Sequence, residues 1–326
     1  MSFDSSRESL SEALPVPGRA LYLRTTFNKS LINSLTYLLE ICEKAVSARL
    51  FSRTTEKLNS LSPELKLSGF LSALHLDLFS AAQQRDIRRV NDILKRICAE
   101  NFEIEKIKYI NLSDLNDNYS HLVKIIFFQE ITREVKFLPL PYQDFERTKY
   151  TIQRGFKKFK NIFEDFFLEF QTLVSEVLIL NAIGIKQGSS SDFFGIIYKS
   201  ILHKSEKMTD VIEFLVHEQS HLYIYLLNQD DPILFNPTDK HYSSLRKEQR
   251  PLMGIYHAAF ILSRVFYVLI RALELNEIPE EEKKYCQELL ASYKNCFYEC
   301  YKTLQTHAKM TPLGEGLILS ASKLVQ

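Results

Sequence analysis

A chain of 326 residues has room for two domains, or for one large domain with a substantial core. Hydrophobic residues make up 45% of it, which excludes a disordered chain. Lysine and arginine number 41 against 40 aspartates and glutamates, a net charge of +1, so no nucleic-acid partner is expected from a bulk basic surface.

The opening stretch, MSFDSSRESLSEALPVPG, places acidic and hydroxyl groups where a signal peptide needs a basic start and an apolar run. The longest apolar segment, residues 255 to 273, is interrupted by His257, Arg264 and Arg271, short of the roughly 18 uncharged residues of a membrane span. The expectation is a cytoplasmic protein with no membrane partner. Five cysteines, an odd number, do not suggest a disulfide framework. Cys296 and Cys300 share a helical face, but two thiols do not close a zinc site, so free thiols are expected.

In chain order, residues 1–24 read as a flexible lead-in carrying Pro15 and Pro17. Residues 25–130 form an N-terminal helical region, with Leu31, Leu35, Leu38 and Leu39 on one stripe and LSGFLSALHLDLFSAAQ repeating the pattern. His75, in the second stretch, reads as structural. Residues 131–326 combine a small central sheet with a helical part. REVKFLPLP (133–141), LVSEVLILNAI (173–183) and FFGIIYKSI (193–201) are the strand candidates, and GIKQGSSSD between the last two is a loop. A helix at about 147–171 carries a stripe of phenylalanines and the cluster Lys157-Lys158-Phe159-Lys160, read as a solvated face. Asp210 with Glu213 resembles a capping box opening a helix. After the loop NQDDPILFNPTDKHYSSLRKEQR, Pro251 opens another helix running to about 276. Stretches 280–308 and 312–324 end the chain. The fold class is α+β, mostly helical: N-terminal helices, a small central sheet and a metal-binding helical C-terminal half.

The metal expectation comes from FLVHEQSHLYIYLLN (214–228), an apolar helix with His217, Glu218 and His221 in its middle. Residues four apart share a helix face, so both imidazoles can address one ion, and Glu218 lies about 100° round from His217. A third protein ligand is required. Glu248, Glu274 and His257 are the candidates. His257, in RPLMGIYHAAFILSRV, is the best of them because one ion then accounts for both histidine-bearing apolar helices. Gly254, nearly one turn earlier, leaves space for a ligand or a close helix approach. Arg264, seven residues later, asks for a carboxylate from the protein or from a substrate.

LVHEQSHL (215–222), LRKEQRPLMGIYHAAFILSRV (245–265) and MTPLGEGLI (310–318) together resemble the 2-oxoglutarate-dependent HExxH-type peptide β-hydroxylases encoded beside ribosomally made, modified peptides. The resemblance spans roughly residues 190 to 320. It implies an Fe(II) site held by His217, His221 and His257, with 2-oxoglutarate and O2 as cosubstrates and a ribosomally made precursor peptide as partner. Where the family pattern has Gly after the third histidine, this chain has Ala258. One of Arg250, Arg246 and Arg264 is then expected to bind the far carboxylate of 2-oxoglutarate, Arg250 first. Glu218, the catalytic-site residue of the motif, would orient a ligand or an outer water.

Two other readings stand beside this one. In a zinc metallopeptidase a residue such as Glu248 completes the site and Glu218 is the general base. An inert peptide-binding protein would keep the motif without its chemistry. The strand FFGIIYKSI suits either enzyme as an edge for an extended peptide.

Overall fold

The computed structural model describes residues 11–115, 119–123, 135–201, 206–243 and 246–326. The protein is α+β and mostly helical. It divides into two compact units, one of residues 21–145 and 172–201, the other of residues 1–20, 146–171 and 202–326.

In the first unit the leucine stripe does what its spacing demands. Leu31, Leu35, Leu38 and Leu39 are all buried on helix α1 (Arg19–Ile41), which starts inside the stretch read as lead-in. Helices α2 (Ala48–Asn59), α3 (Gly69–Gln83) and α4 (Ile87–Ala99) each begin at a hydroxyl or carboxylate cap: Ser47, Ser68 and Asp86 accept from the backbone N–H of Leu50, Phe70 and Arg89. His75 is structural, its Nε2 sharing a 2.8 Å hydrogen bond with the Ser34 hydroxyl.

The helices pack on a four-stranded sheet of order β1-β3-β6-β5, made by Lys108–Asn111, Glu176–Leu180, Ile196–Ser200 and Gln187–Ser189. The first three strands run parallel and β5 is antiparallel to β6. All five residues of β3 are buried, as an interior strand of a parallel sheet requires. β6, the FFGIIYKSI strand, lies between β3 and β5, so it does not present the free edge expected for a peptide. β2 (Lys136–Phe137) and β4 (Ala182–Ile183) form a separate antiparallel pair; residues 133 and 134 of the expected first strand lie outside the described residues. β5 falls inside the expected loop, because a short edge strand reading Gln-Gly-Ser carries neither β-branched residues nor alternation.

The second unit holds the histidines. The phenylalanine-rich segment is two helices, α5 (Tyr142–Ile162) and α6 (Glu164–Leu173), broken at Phe163. Phe159, Phe166 and Phe170 are fully buried, as the stripe predicts. Helix α7 (Met208–Asp230) is followed by a β-hairpin, β7 (Lys240–Ser243) with β8 (Glu248–Pro251), where the sequence suggested only loop. Its charged strands carry no apolar alternation to betray them. Pro251 ends β8 in an extended conformation and caps helix α8 (Leu252–Glu274) instead of sitting in its first turn. Helix α8 packs on α7, on α9 (Lys283–His307) and on α10 (Pro312–Lys323). By length and composition α8 could cross a membrane, but 67% of its most apolar window is buried inside the protein.

Gly195 carries the turn into β6 with φ +96°, and a Cβ there would lie 2.5 Å from the Ser175 hydroxyl oxygen. Gly195→Ala should therefore destabilise the protein by about 1–3 kcal/mol, the cost of a forced left-handed residue plus the clash. A urea midpoint unchanged from wild type would show that the turn relaxes freely.

Candidate metal centre

Helix α7 is capped three residues before the Asp210 cap that the sequence suggests, and with different partners. The N-cap is Lys207, whose backbone N–H donates to the Asp210 carboxylate at 3.0 Å. The next two N–H groups, of Met208 and Thr209, donate to the Glu282 carboxylate at 3.0 and 2.9 Å. An anion at a helix N-terminus also complements the helix dipole. Glu213 is therefore not a capping residue. It is the first rung of a ladder that runs up the helix.

Glu213, His217, His221 and Tyr225 follow each other at four-residue steps, each about 40° round and 6 Å along the axis from the last. All four are half-buried, whereas almost every other residue from Val211 to Leu227 is fully buried. The helix thus opens along one line. Glu213 Oε1 lies 3.0 Å from Nδ1 of His217 and also accepts from the Tyr293 hydroxyl of α9. The His217 and His221 ring centroids are 5.1 Å apart. From α8, His257 brings its ring to 5.9 Å from His221. Tyr225 closes the group, 5.9 Å from His221 and 5.4 Å from His257.

The three imidazoles are not equivalent. Nδ1 of His221 and Nε2 of His257 are buried with no hydrogen-bond partner. Burial pushes the His257 imidazole down to about 4. His221 is held well below its ordinary value by burial, then by the charges of His217, His257 and Arg246. For His217, burial acts downward, but the Glu213 carboxylate and then Glu218 overcome it and raise the group to about 9. Two neutral imidazoles with free nitrogens therefore sit beside a third oriented by a carboxylate. A carboxylate behind a ligating histidine is a common arrangement at metal sites.

Of the third-ligand candidates only His257 comes to the pair. Glu248 is 57% exposed and bonded to Arg250; Glu274 is 53% exposed and bonded to Arg271. Glu218 is buried beside His217. The arginines also separate. Arg264 is fully buried and forms a salt bridge with Glu169 of α6, its guanidinium caged by the rings of Phe166, Tyr223 and Phe260. It is structural. Arg250 donates to Glu248 at 3.1 Å and lies over Gly254, where a Cβ would meet its nitrogens at an ordinary 3.6 Å. The space at Gly254 is thus taken by Arg250. Arg246, exposed on the β7–β8 turn, is the candidate arginine whose charge is felt at both His217 and His221.

Rings bound to one ion through nitrogens about 2.1 Å away have centroids roughly 4.6 to 5.6 Å apart. The 5.1 Å pair meets this, and the 5.9 Å pair has to draw in. Accordingly, among the described residues no three His, Cys, Asp or Glu side chains are placed to hold an ion without such movement. The expected convergence of three ring nitrogens on one point is therefore met in neighbourhood and not in closure. The donor set nevertheless fits a divalent transition metal, because the orphaned buried nitrogens lack any other partner.

Sequence reasoning missed Glu213 as a partner of His217, and it missed Tyr225. The signal for both was the four-residue register of the two histidines, extended one turn in each direction. No family model matches the chain, and no curated protein matches it.

Two outcomes follow from this geometry. Arg264→Leu leaves the Glu169 carboxylate buried without its countercharge, and should cost about 3–5 kcal/mol in unfolding free energy. A loss below 1 kcal/mol, measured by urea unfolding, would remove Arg264 from the framework. In the metal-free protein, His217 is raised to about 9 from an unfolded value of about 6.5. Its pairing with Glu213 therefore adds its full stability below about pH 6.5, and that share is lost as pH rises through about 9. The stability gap between wild type and Glu213→Gln should shrink over that window. A gap that widens with rising pH would contradict the pairing.

Proposed function

We propose that this protein is an Fe(II)- and 2-oxoglutarate-dependent oxygenase that hydroxylates a side-chain β-carbon of a ribosomally made peptide. The observation that carries this reading is the placement of His257 beside His221 while Glu248 and Glu274 stay in surface ion pairs. A zinc peptidase of the kind considered above needs a carboxylate as third ligand, and both glutamates are more than half exposed and paired with arginines. The resemblance of LVHEQSHL, RPLMGIYH and MTPLGEGLI to the HExxH-type hydroxylases supports the same direction.

His217, His221 and His257 would hold the metal. Iron bound there supplies oxidative chemistry in which O2 converts 2-oxoglutarate to succinate and CO2 and delivers the second oxygen atom to a C–H bond. The protein contributes orientation and a dry surround. Glu213 fixes the His217 tautomer through Nδ1, leaving Nε2 for the ion. Glu218, buried and adding to the rise of the His217 imidazole, would orient the ligand and would not act as a general base. Arg246 replaces Arg250 as first choice for the far carboxylate of 2-oxoglutarate, because its charge already reaches two of the three histidines. Arginine's planar fork suits that carboxylate.

The test is anaerobic addition of Fe(II) and then 2-oxoglutarate to the purified protein, followed by turnover measured as succinate. A visible charge-transfer band should develop on adding 2-oxoglutarate. Arg246→Leu should raise the 2-oxoglutarate requirement roughly 30-fold, the equivalent of a lost charge-assisted hydrogen bond of about 2 kcal/mol, with iron affinity nearly unchanged. Arg250→Leu should have little effect. Glu218→Gln should retain metal binding and measurable turnover, whereas a peptidase would lose about a hundredfold or more on removal of its base. Zinc-dependent peptide hydrolysis abolished by Glu218→Gln would replace the oxygenase reading.

A further inference from the structure

The three histidines are held in place by unequal means. His217 has a hydrogen bond to Glu213 that fixes its ring. Among the described residues neither His221 nor His257 makes a hydrogen bond, and each leaves one buried ring nitrogen without a partner. These two rings sit on different helices, α7 and α8, so nothing covalent relates their orientations. What touches both is the ring of Tyr225. It lies nearly parallel to His221, at 25° and 5.9 Å, and edge-on to His257, at 63° and 5.4 Å. Those are ordinary attractive geometries for aromatic pairs. Four residues after His221 on the same helix, Tyr225 occupies the next position up the same face.

A half-buried tyrosine at this place has an ordinary explanation, as a rim residue that covers apolar surface. The contacts argue for more. Buried imidazoles that are to ligate a metal usually have their rings fixed by an outer partner, and His221 and His257 have no such hydrogen bond. The Tyr225 ring meets both.

We propose that Tyr225 is a positioning residue of the metal centre: its ring holds His221 and His257 in mutual register. This rests on reading the three histidines as a metal site. Because the ring is the working part, phenylalanine in its place does the same work and a non-aromatic side chain does not.

The experiment uses the full chain, stripped of metal, with Tyr225→Phe, Tyr225→Leu and Tyr225→Ala. Co(II) affinity is measured anaerobically by competition with a chromophoric chelator, and the visible Co(II) spectrum records the ligand geometry. Wild type and Tyr225→Phe should bind alike with the same spectrum. Tyr225→Leu and Tyr225→Ala should bind roughly tenfold or more weakly, in the range for loss of an outer partner, with an altered spectrum. Leucine keeps bulk and helix propensity, so it separates positioning from folding, and thermal unfolding confirms that each variant is folded. Leucine and alanine variants with wild-type affinity and spectrum would overturn the proposal while leaving the metal centre intact. Equal weakening in Tyr225→Phe would overturn it in favour of the hydroxyl. If wild type takes up no Co(II), this inference falls with the metal centre itself, and the wild-type titration alone reveals that case.

Discussion

One carboxylate oxygen ties together the helices that carry the site. Oε1 of Glu169, on α6, accepts from Gln219 of α7 at 2.7 Å and from Arg264 of α8 through a buried ion pair. Gln219 also donates to the backbone carbonyl of Phe166. Gln219 is two residues from each motif histidine, about 200° round the helix, so it faces away from them. Arg264 is seven residues beyond His257. The polar lock thus sets which turn of α8 stands opposite which turn of α7, and two turns away along α8, on nearly the same face as Arg264, His257 arrives beside His221. Such a lock adds little net stability relative to an apolar packing, yet it makes a slipped register costly because slipping strands a buried charge. A requirement for one register of two apolar helices is a physical reason to keep an ion pair in this core.

The same economy appears around the histidines. Apolar burial drives α7 and α8 together, and an imidazole left unpaired inside would be penalised. The opening of α7 along Glu213, His217, His221 and Tyr225 resolves that conflict partly by exposure and partly by Glu213. The remaining tension is carried by two nitrogens with no partner, on His221 and His257. Glu218, the next residue along the helix from His217, is buried and helps hold that imidazole in its charged form.

Much of this was legible in the sequence. The apolar helices, the Leu31–Leu39 stripe and the shared face of His217 and His221 follow from helical spacing, whereas His257 enters because one ion would account for both histidine-bearing helices. The strands β3 and β6 declare themselves by β-branched residues. What escaped was written in weaker signals. β5, β7 and β8 are short and polar, and their pairing depends on neighbours that a local pattern does not name. The choice among Arg246, Arg250 and Arg264 depended on which carboxylates lay nearby in space. Glu169 for Arg264 is 95 residues away, and no spacing argument reaches it. Glu213 was misread because a carboxylate near a helix start looks like a cap, and the real cap, Glu282, arrives from another helix's approach.

The central claim is that three imidazoles, from His217, His221 and His257, bind one metal ion. X-ray absorption on the anaerobically iron-loaded protein measures that directly, through the scattering pattern of bound imidazole rings. The account predicts three imidazoles at about 2.0–2.2 Å, with one lost in a His257→Ala variant. Two imidazoles plus a carboxylate, unchanged by His257→Ala, would contradict it.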